Sequence, residues 1–431
     1  MAPSLMSELF VTMCALTHQT ERVAKRRGVG YFLPALTVDR FSKLGGIDRS
    51  VFAAQMDQCR SFEDSAWTSF WSGIAEERMR GADAALTRLG GPSSAQILDG
   101  DRNTAIAQVS TVLSPASSLL CDRRPRTATE FKRTHPESAD AADAVDGLVQ
   151  AMTYLFAAAW PGWTPQRLAA YRRSRRLFDV LIHAVAPAMG IVVESFTIEL
   201  GDDQISGYAI LPEEAKRVPA ILLTNGLEGT IQEIALPALL NRPAQCAYFF
   251  MEMPGTFAYK QPLSVASEGY YRAVIDRMAG DSRIDERRLG MHGVSFGAHW
   301  STRMAACDSR LAAVVSNGGL YDRAFRPSLG MPEIMVSTLQ RTTGAKGSLE
   351  LGRILKTLAI PDLYRQIAAP ILAVNGDTDT LVPTQDTIDL ARGAPRGELK
   401  LYPDDDHCAM GHYEDVNAEV TRWFQRQLDI A

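Results

Sequence analysis

The sequence Arg288-Leu-Gly-Met-His292, followed by Gly293-Val-Ser-Phe-Gly297, decides the fold of this chain. The first stretch is a short apolar run typical of a buried strand, and residues 298–306 show a helical pattern. A G-x-S-x-G sequence between a strand and a helix is the context of a nucleophile elbow, a turn so tight that its serine is strained. Because side chains two residues before and after the serine would collide, both positions are glycine. Ser295 is therefore predicted to be a catalytic nucleophile.

Short apolar runs recur between helical segments throughout the second half of the chain. Alternating strands and helices are typical of an α/β fold with a mostly parallel sheet that is covered on both faces. Ligands bind such sheets beyond the carboxyl ends of the strands, so functional residues are expected just after the apolar runs. The predicted strands are 192–200, 204–211, 219–224, 246–251, 288–292, 311–316, 370–374 and 397–402.

Two further strand ends supply a base and an acid for the serine. In α/β-hydrolases the chain order is serine, then aspartate or glutamate, then histidine. His407 follows the last predicted strand and is predicted to be the base. Two carboxylates, Asp377 and Asp379, follow the strand before it, and the G-x-x-D-x-x-V-P arrangement favours Asp379 as the acid. Asp377 is the alternative, and a turn or capping role suits it as well.

Acyl transfer also needs hydrogen-bond donors for the oxyanion. The backbone N–H of Phe296, directly after the nucleophile, is predicted to be one donor. The second is expected in the loop after strand 219–224, where the N–H of Leu227 is favoured. Glu228 in the same loop is either a polar group of the pocket or a cap of the next helix. His299, one helical turn after the serine, either lines the pocket floor or packs in the core. Glu228 and His299 are both candidate substrate-binding residues.

The two halves of the chain differ in character. Residues 1–190 show helical periodicity and few strand signals, which predicts a helical N-terminal domain, whereas 191–431 are predicted to form the catalytic domain. Residues 320–366 join two predicted strands through a long helical pattern and are interpreted as a small cap-like insertion. Residues 91–128 are rich in glycine, serine, proline and aspartate, which predicts a long loop or an insertion.

Composition narrows the range of partners. A net charge of −5 argues against nucleic acid, which favours a basic surface, and no run approaches the roughly 18 apolar residues of a membrane span. Glu8 stands where a signal peptide would carry basic residues, so none is expected. The six cysteines contain no C-x-x-C pair and are interpreted as reduced thiols of a cytoplasmic protein. No histidine or cysteine grouping has metal-ligand spacing, so no metal is expected, and the predicted partner is a small molecule.

One loop of the sequence resembles a known family. The segment 225–233, Asn-Gly-Leu-Glu-Gly-Thr-Ile-Gln-Glu, resembles the G-G-L-[DE]-S-T-x-E-E loop of the FrsA-like hydrolases, a family that includes dihydropseudooxynicotine hydrolase-like enzymes and fungal polyketide-shortening hydrolases. Residues 252–256, Glu-Met-Pro-Gly-Thr, look like the D-x-P-G-x-G turn of that family. The resemblance covers roughly residues 145–425. The chain departs from the family pattern at Asn225, Gly229, Glu252, Phe257 and Ala298, and these changes are expected to reshape the pocket walls and the oxyanion loop.

The resemblance implies a function as well as a fold. It implies a helical N-terminal domain packed over the active site and often part of a homodimer interface. It also implies cleavage of a carbon–carbon bond beside a ketone, or of an ester, without a cofactor. The family's triad carries over to Ser295, Asp379 and His407.

Three other functions stay open at this point. An acyltransferase or cyclase would use the same acyl-serine with an acceptor other than water. A peptidase of the prolyl-oligopeptidase type shares the triad order, but the N-terminal half lacks repeated β-blades. A non-catalytic binding module would be expected to have a broken triad, and all three residue types are present here.

Overall fold

The computed structural model describes residues 5–33, 35–124, 126–257, 259–326 and 329–430. The chain forms two compact units. One comprises Met1–Thr20, Glu194–Ile234 and Asn241–Ala431, and is called the sheet unit below. The other comprises Glu21–Val193 and Ala235–Leu240, and is called the helical unit.

The elements follow one another in the order that the sequence predicts, with helices first and alternating strands and helices afterwards. The strands are β1 (Ile191–Leu200), β2 (Asp203–Pro212), β3 (Val218–Thr224), β4 (Ala247–Met251), β5 (Ile284–Val294), β6 (Leu311–Asn317), β7 (Ile371–Gly376) and β8 (Gly397–Tyr402). The helices are α1 (Leu5–Leu16), α2 (Thr20–Arg27), α3 (Ala35–Gly45), α4 (Arg49–Gln58), α5 (Asp64–Arg88), α6 (Ser94–Asp99), α7 (Arg102–Leu113), α8 (Thr127–Thr134), α9 (Ala139–Ala159), α10 (Pro165–Val185), α11 (Ile231–Leu240), α12 (Glu268–Gly280), α13 (Phe296–Cys307), α14 (Glu333–Thr343), α15 (Ser348–Thr357), α16 (Thr384–Gly393) and α17 (Tyr413–Leu428).

The eight strands form one sheet in the order β1-β2-β4-β3-β5-β6-β7-β8. β2 pairs with β4 in the antiparallel direction, and from β4 to β8 every neighbouring pair is parallel. This confirms the predicted mostly parallel sheet. The carboxyl ends of β3, β5, β6, β7 and β8 therefore lie along one edge, where parallel α/β sheets carry their sites.

Helices cover both faces of this sheet. A Cβ atom on Gly290 of β5 would lie 2.9 Å from a ring carbon of Phe424, so α17 packs on that face. The next residue, Met291, points to the opposite face because side chains alternate along a strand. It belongs to the same buried cluster as Trp300 and Met304 of α13. Within the described residues, no helix combines the length and the apolar character that crossing a membrane requires.

In the helical unit, α5 and α9 pack closely because their contact residues are small. A Cβ atom on Gly147 would lie 3.0 Å from the Cβ of Ala82 and 3.2 Å from the carbonyl oxygen of Arg78. The sequence of α9 is rich in alanine, and most of its side chains are buried. A larger residue at position 147 would push the two helices apart, since close-packed interiors have little free volume.

The prediction of a long loop over residues 91–128 was wrong, because this segment contains α6 and α7. Its polar residues are helix caps. Ser93 and Gln96 form a reciprocal capping box at the start of α6, and Asp101 caps α7 by accepting a hydrogen bond from the N–H of Thr104 at 2.9 Å. The apolar residues between the caps recur at helical spacing and are buried, namely Ile97, Ala105, Val109 and Leu113.

The connection between β6 and β7, which includes the predicted insertion over residues 320–366, contains α14 and α15. Its base is fixed by a buried carboxylate on α16. Asp386 accepts hydrogen bonds from the backbone N–H groups of four consecutive residues, Tyr321 to Ala324, at 3.0–3.2 Å. A carboxylate with several donors of this kind holds the entry of the insertion against the helix that follows β7.

The helix α1 packs against this insertion within the sheet unit. The hydroxyl of Thr12 accepts a 2.8 Å hydrogen bond from the N–H of Gly330, and His18 Nδ1 lies 2.6 Å from Glu333 Oε1. A residue with a side chain at 330 would be strained, since Gly330 has a φ of 82° and stands against Glu8. The first described helix of the chain is therefore a support of α14.

Candidate active site

Ser295 occupies a tight turn between β5 and α13. Its φ of 57° and ψ of −124° are strained for a residue with a side chain, and its N–H donates to the carbonyl of Asn317 at 2.8 Å. A Cβ atom on Gly293 would collide with the backbone of Gly297, as the sequence predicts. A Cβ atom on Gly297 would instead lie 2.5 Å from the carbonyl oxygen of Thr224 on β3. The second glycine is therefore required by the neighbouring strand.

The structure brings Ser295, His407 and Asp379 together in one hydrogen-bonded chain. His407 Nε2 lies 2.8 Å from Ser295 Oγ, and His407 Nδ1 lies 2.8 Å from Asp379 Oδ2. With the Nδ1 proton donated to the carboxylate, Nε2 is free to accept the hydroxyl proton of the serine. The three side chains come from the ends of β5, β7 and β8, which lie on the same edge of the sheet.

The side chain of Asp379 is buried, but several hydrogen-bond donors of the protein surround its carboxylate. Its Oδ1 accepts from the N–H groups of Leu381 and Val382, each at 2.8 Å, and its Oδ2 accepts from Asn375 Nδ2 at 2.8 Å. Burial alone would raise the pKa of this carboxyl group. The attraction of His407 and these hydrogen bonds outweigh burial and lower the pKa of Asp379. Asp379 is therefore held as a carboxylate.

Asp377 has a different place in the same loop. Its side chain is exposed, and its N–H donates to the carbonyl of Tyr402 at 3.0 Å. No hydrogen bond joins its carboxylate to His407 among the described residues. Of the two carboxylates that the sequence offers, the structure brings only Asp379 to the histidine.

His407 is buried, which by itself disfavours its charged form. The carboxylate of Asp379 more than offsets this effect and raises the pKa of His407 well above 6.5. The pair is thus arranged to stabilise an imidazolium, the form that a histidine takes when it accepts a proton from a serine.

Two other aspartates fix the loop that carries His407. The carboxylate of Asp405 accepts from His412 Nδ1 at 2.8 Å, and that of Asp406 accepts from the N–H and the hydroxyl of Thr380 at 2.7 and 2.9 Å. A Cβ atom on Gly376 would collide with the carbonyl oxygens of both aspartates. The loops after β7 and β8 are therefore tied together, and His412 supports the histidine loop through Asp405.

Asn375 is a residue of the site that sequence reasoning missed. It is fully buried at the end of β7. Its amide donates to Asp379, and its carbonyl accepts from the N–H of Cys408 at 2.9 Å, directly after the histidine. The signal was an amide side chain immediately before the acid loop, but the sequence does not show that this side chain also reaches the loop after β8.

The N–H of Phe296, one of the two predicted oxyanion donors, borders a small space beside Ser295. A Cβ atom on Gly226 would lie 2.7 Å from the backbone nitrogen of Phe296 and 3.0 Å from Ser295 Oγ. The N–H of Phe296 is the first of α13 and has no acceptor within the helix. Among the described residues, the N–H of Leu227 also makes no recorded hydrogen bond. Only glycine at position 226 leaves room for an atom between these groups.

The two candidate substrate-binding residues are both buried. Glu228 lies in the loop between β3 and α11 with a φ of 54°. His299 is fully buried, and burial lowers its pKa to about 3. Its Nδ1 donates to the carbonyl of Leu320 at 2.9 Å, and its ring packs against Phe296 and Phe325. Their roles in binding substrate remain predictions.

The part of the chain that the structure describes contains no group of three histidine, cysteine or acidic side chains placed to hold a metal ion. The six cysteines are free thiols, and all except Cys307 are buried.

A serine at a strained elbow, hydrogen-bonded to a histidine at the edge of a mostly parallel eight-stranded sheet, defines an α/β-hydrolase. A family model described as Esterase FrsA-like matches residues 123–429. The chain therefore belongs to the FrsA-like esterase family, as the resemblance of segment 225–233 predicts.

Curated relatives agree with this assignment. The 2,6-dihydropseudooxynicotine hydrolase of Paenarthrobacter nicotinovorans is 28% identical over 250 residues, which cover 56% of this chain and 67% of that protein. Esterase FrsA of Vibrio cholerae is 24% identical over 273 residues, which cover 60% of this chain and 65% of that protein. The chain thus spans about two thirds of the length of these relatives.

Solved structures show the same fold. The crystal structure of 2,6-dihydroxy-pseudo-oxynicotine hydrolase superposes with a TM-score of 0.57 at 22% identity, covering 80% of this chain and 95% of that one. AbyA5 superposes with a TM-score of 0.58 at 22% identity, covering 74% of this chain and 94% of that one.

Proposed function

We propose that this α/β-hydrolase cleaves an ester, or a carbon–carbon bond beside a ketone, in a small-molecule substrate through an acyl-enzyme on Ser295. The observation that carries the proposal is the continuous hydrogen-bonded chain from Ser295 Oγ through His407 to Asp379, with 2.8 Å at each link. A weak nucleophile becomes reactive when a base, oriented by a third group, accepts its proton.

The first half of the proposed reaction forms the acyl-enzyme. Ser295 Oγ attacks the substrate carbonyl while its proton passes to His407 Nε2. The N–H groups of Phe296 and Leu227 stabilise the resulting oxyanion. As the oxyanion collapses, the bond to the leaving group breaks and His407 returns the proton to it. The leaving group is an alkoxide for an ester and an enolate for a β-diketone.

The second half of the reaction releases the acid. A water molecule attacks the acyl carbonyl and transfers a proton to His407. The bond to Ser295 Oγ then breaks, and the proton returns to the serine oxygen. No redox change occurs, and one water is consumed for each bond broken, so the step requires no cofactor.

Relatives support the substrate class. One carries the name 2,6-dihydropseudooxynicotine hydrolase and another the name Esterase FrsA, which indicate a small molecule and an ester.

We further propose that the protein acts in the cytoplasm and forms a homodimer. Light scattering during size-exclusion chromatography tests the dimer, which a mass near the 47.2 kDa of one chain would contradict.

The central test is turnover in ¹⁸O-labelled water. The panel contains aryl esters, a β-diketone, an aromatic polyketide and a prolyl peptide. We expect label in the acid product of an ester or diketone, and the ratio of the two rates places the enzyme between esterase and carbon–carbon hydrolase. A stable acyl adduct without labelled product would instead support an acyltransferase or cyclase. Cleavage of the peptide alone would support a peptidase.

The pH dependence of turnover follows from the raised pKa of His407. Only the neutral imidazole accepts the serine proton, so kcat/KM falls as the pH drops below this pKa. Because Asp379 raises the pKa above 6.5, we expect the acidic inflection of the kcat/KM profile above pH 6.5. An inflection at or below pH 6.5 would contradict the proposed coupling between the histidine and the carboxylate.

Gly226→Ala is expected to lower kcat by about 10²-fold, the usual effect of losing one oxyanion donor. The added methyl group would occupy the space 2.7 Å from the Phe296 nitrogen where the oxyanion forms. Steady-state kinetics on the best ester measure the effect. Gly269→Ala is the matched control, since its Cβ atom enters open space on α12, and its kcat stays unchanged. Equal activity of the two variants would show that the loop around Gly226 does not contribute to stabilisation of the oxyanion.

A further inference from the structure

The oxyanion loop has an internal support that the proposed mechanism does not use. Asn225 is buried at the end of β3. Its side-chain carbonyl accepts from the N–H of Gly226 at 2.9 Å, and its amide donates to Glu233 Oε2 at 2.6 Å. One carboxamide therefore joins the start of the loop to the first turn of α11.

The Asn225–Gly226 bond determines which N–H groups of the loop are available. The N–H of Gly226 is already occupied, although a Cβ atom at this position would lie only 3.0 Å from Ser295 Oγ. The next N–H along the chain, that of Leu227, has no recorded partner among the described residues. Donors stabilise an oxyanion best when they are fixed in advance, because no reorganisation is then needed during the reaction.

Gly229 is the structural counterpart of Asn225. A Cβ atom at position 229 would collide with Asn225 Cγ and lie 2.5 Å from Asn225 Nδ2. The space that a side chain at 229 would need is thus filled by the carboxamide. In the family pattern these two positions hold glycine and serine, in that order. The polar side chain is therefore at position 225 in this chain and at position 229 in the family pattern.

We propose that Asn225 is a positioning residue, which reserves the Leu227 N–H as the second oxyanion donor by binding the Gly226 N–H and anchoring the loop to Glu233. The inference rests on the proposed function, since it assigns a role in the oxyanion hole of the same site. Asn225 does not touch the reacting atoms, and it acts through the backbone of the loop.

The test compares Asn225→Ala with wild type in ester turnover and in the rate of Ser295 labelling by a fluorophosphonate. Loss of positioning weakens stabilisation of the transition state more than binding of the substrate. We expect kcat and the labelling rate to fall about tenfold, less than on losing a donor outright, with KM changed less than twofold. Gly229→Ala is expected to act in the same direction, because its methyl group displaces Asn225. Gly269→Ala again serves as the control.

Two double variants keep the test independent of folding defects. Asn225→Gly with Gly229→Ser restores the family arrangement and is expected to recover kcat to within about threefold of wild type. Asn225→Asp with Glu233→Gln reverses donor and acceptor between the two side chains, and is expected to recover activity that Asn225→Asp alone loses. Recovery in either pair supports the positioning role.

The outcomes separate this inference from the proposed function. If wild type turns over the esters but Asn225→Ala has unchanged kcat and labelling rate, the inference is overturned alone, even if the variant melts at a lower temperature. If wild type neither turns over a substrate nor reacts with the fluorophosphonate, the proposed function fails and the inference fails with it. A folded Asn225→Ala variant whose KM rises while its kcat stays unchanged also overturns the positioning role.

Discussion

Ser295→Ala is expected to lower kcat by about 10⁴- to 10⁶-fold, the range seen when a nucleophilic serine is removed. The reason is geometric. The hydroxyl of Ser295 donates to His407 Nε2 at 2.8 Å, and alanine leaves the base without a proton to accept. Intact mass spectrometry after fluorophosphonate treatment should show an adduct on wild type and none on the variant.

The matched control for this prediction is Ser301→Ala on α13, the helix that begins directly after Ser295. Ser301 is buried, and its hydroxyl donates to the carbonyl of Val315 at 2.9 Å. Its loss is expected to cost about 1 kcal/mol of stability and to leave kcat within twofold of wild type. If Ser295→Ala retained turnover, the acyl-enzyme mechanism would be wrong, and if wild type formed no adduct, a non-catalytic binding module would become the better description.

The second large effect concerns the acid. Asp379→Asn is expected to lower kcat by about 10⁴-fold, because an amide at this position can donate to His407 Nδ1 and so favour the wrong tautomer. The substitution also removes the charge that raises the pKa of His407. The remaining activity should therefore show its acidic inflection at a lower pH than wild type does. Measurement of kcat and kcat/KM from pH 5 to 9 gives the loss of turnover and the position of the acidic inflection.

Asp377→Asn supplies the control within the same loop. Its side chain is exposed and it makes no recorded bond to the histidine within the described residues. We expect its kcat and its pH profile to match those of wild type. The reverse ranking, with Asp377→Asn inactive and Asp379→Asn active, would assign the acid to the other carboxylate.

Much of the fold could be predicted from the sequence because its signals are local. The elbow around Ser295 combines a strand, two glycines and a helix within a few residues, and the strand runs alternate with helical periodicity. The order of serine, aspartate and histidine along the chain also predicted three strand ends, and the structure brings the side chains at these ends together. The loop predicted over 91–128 failed because serine and aspartate that cap helices have the same composition as turns.

The support of the site could not be read from the sequence because it depends on contacts across the fold. Asn375 reaches a loop 33 residues further on, and Asp386 binds backbone groups more than 60 residues earlier in the chain. The role of Gly297 beside Thr224 requires knowledge that β3 and β5 are neighbours. Residue type alone gives no measure of such distances.

The attachment of α1 to the insertion has a consequence for the order in which the molecule is assembled during translation. Thr12 meets Gly330, which lies 318 residues further along the chain. At roughly 5–20 residues per second, the ribosome needs on the order of tens of seconds to reach this partner. During that interval Val11 and Cys14, which are buried in the folded protein, have no insertion to pack against. Helix α1 therefore remains without this partner until the segment around Gly330 has been synthesised.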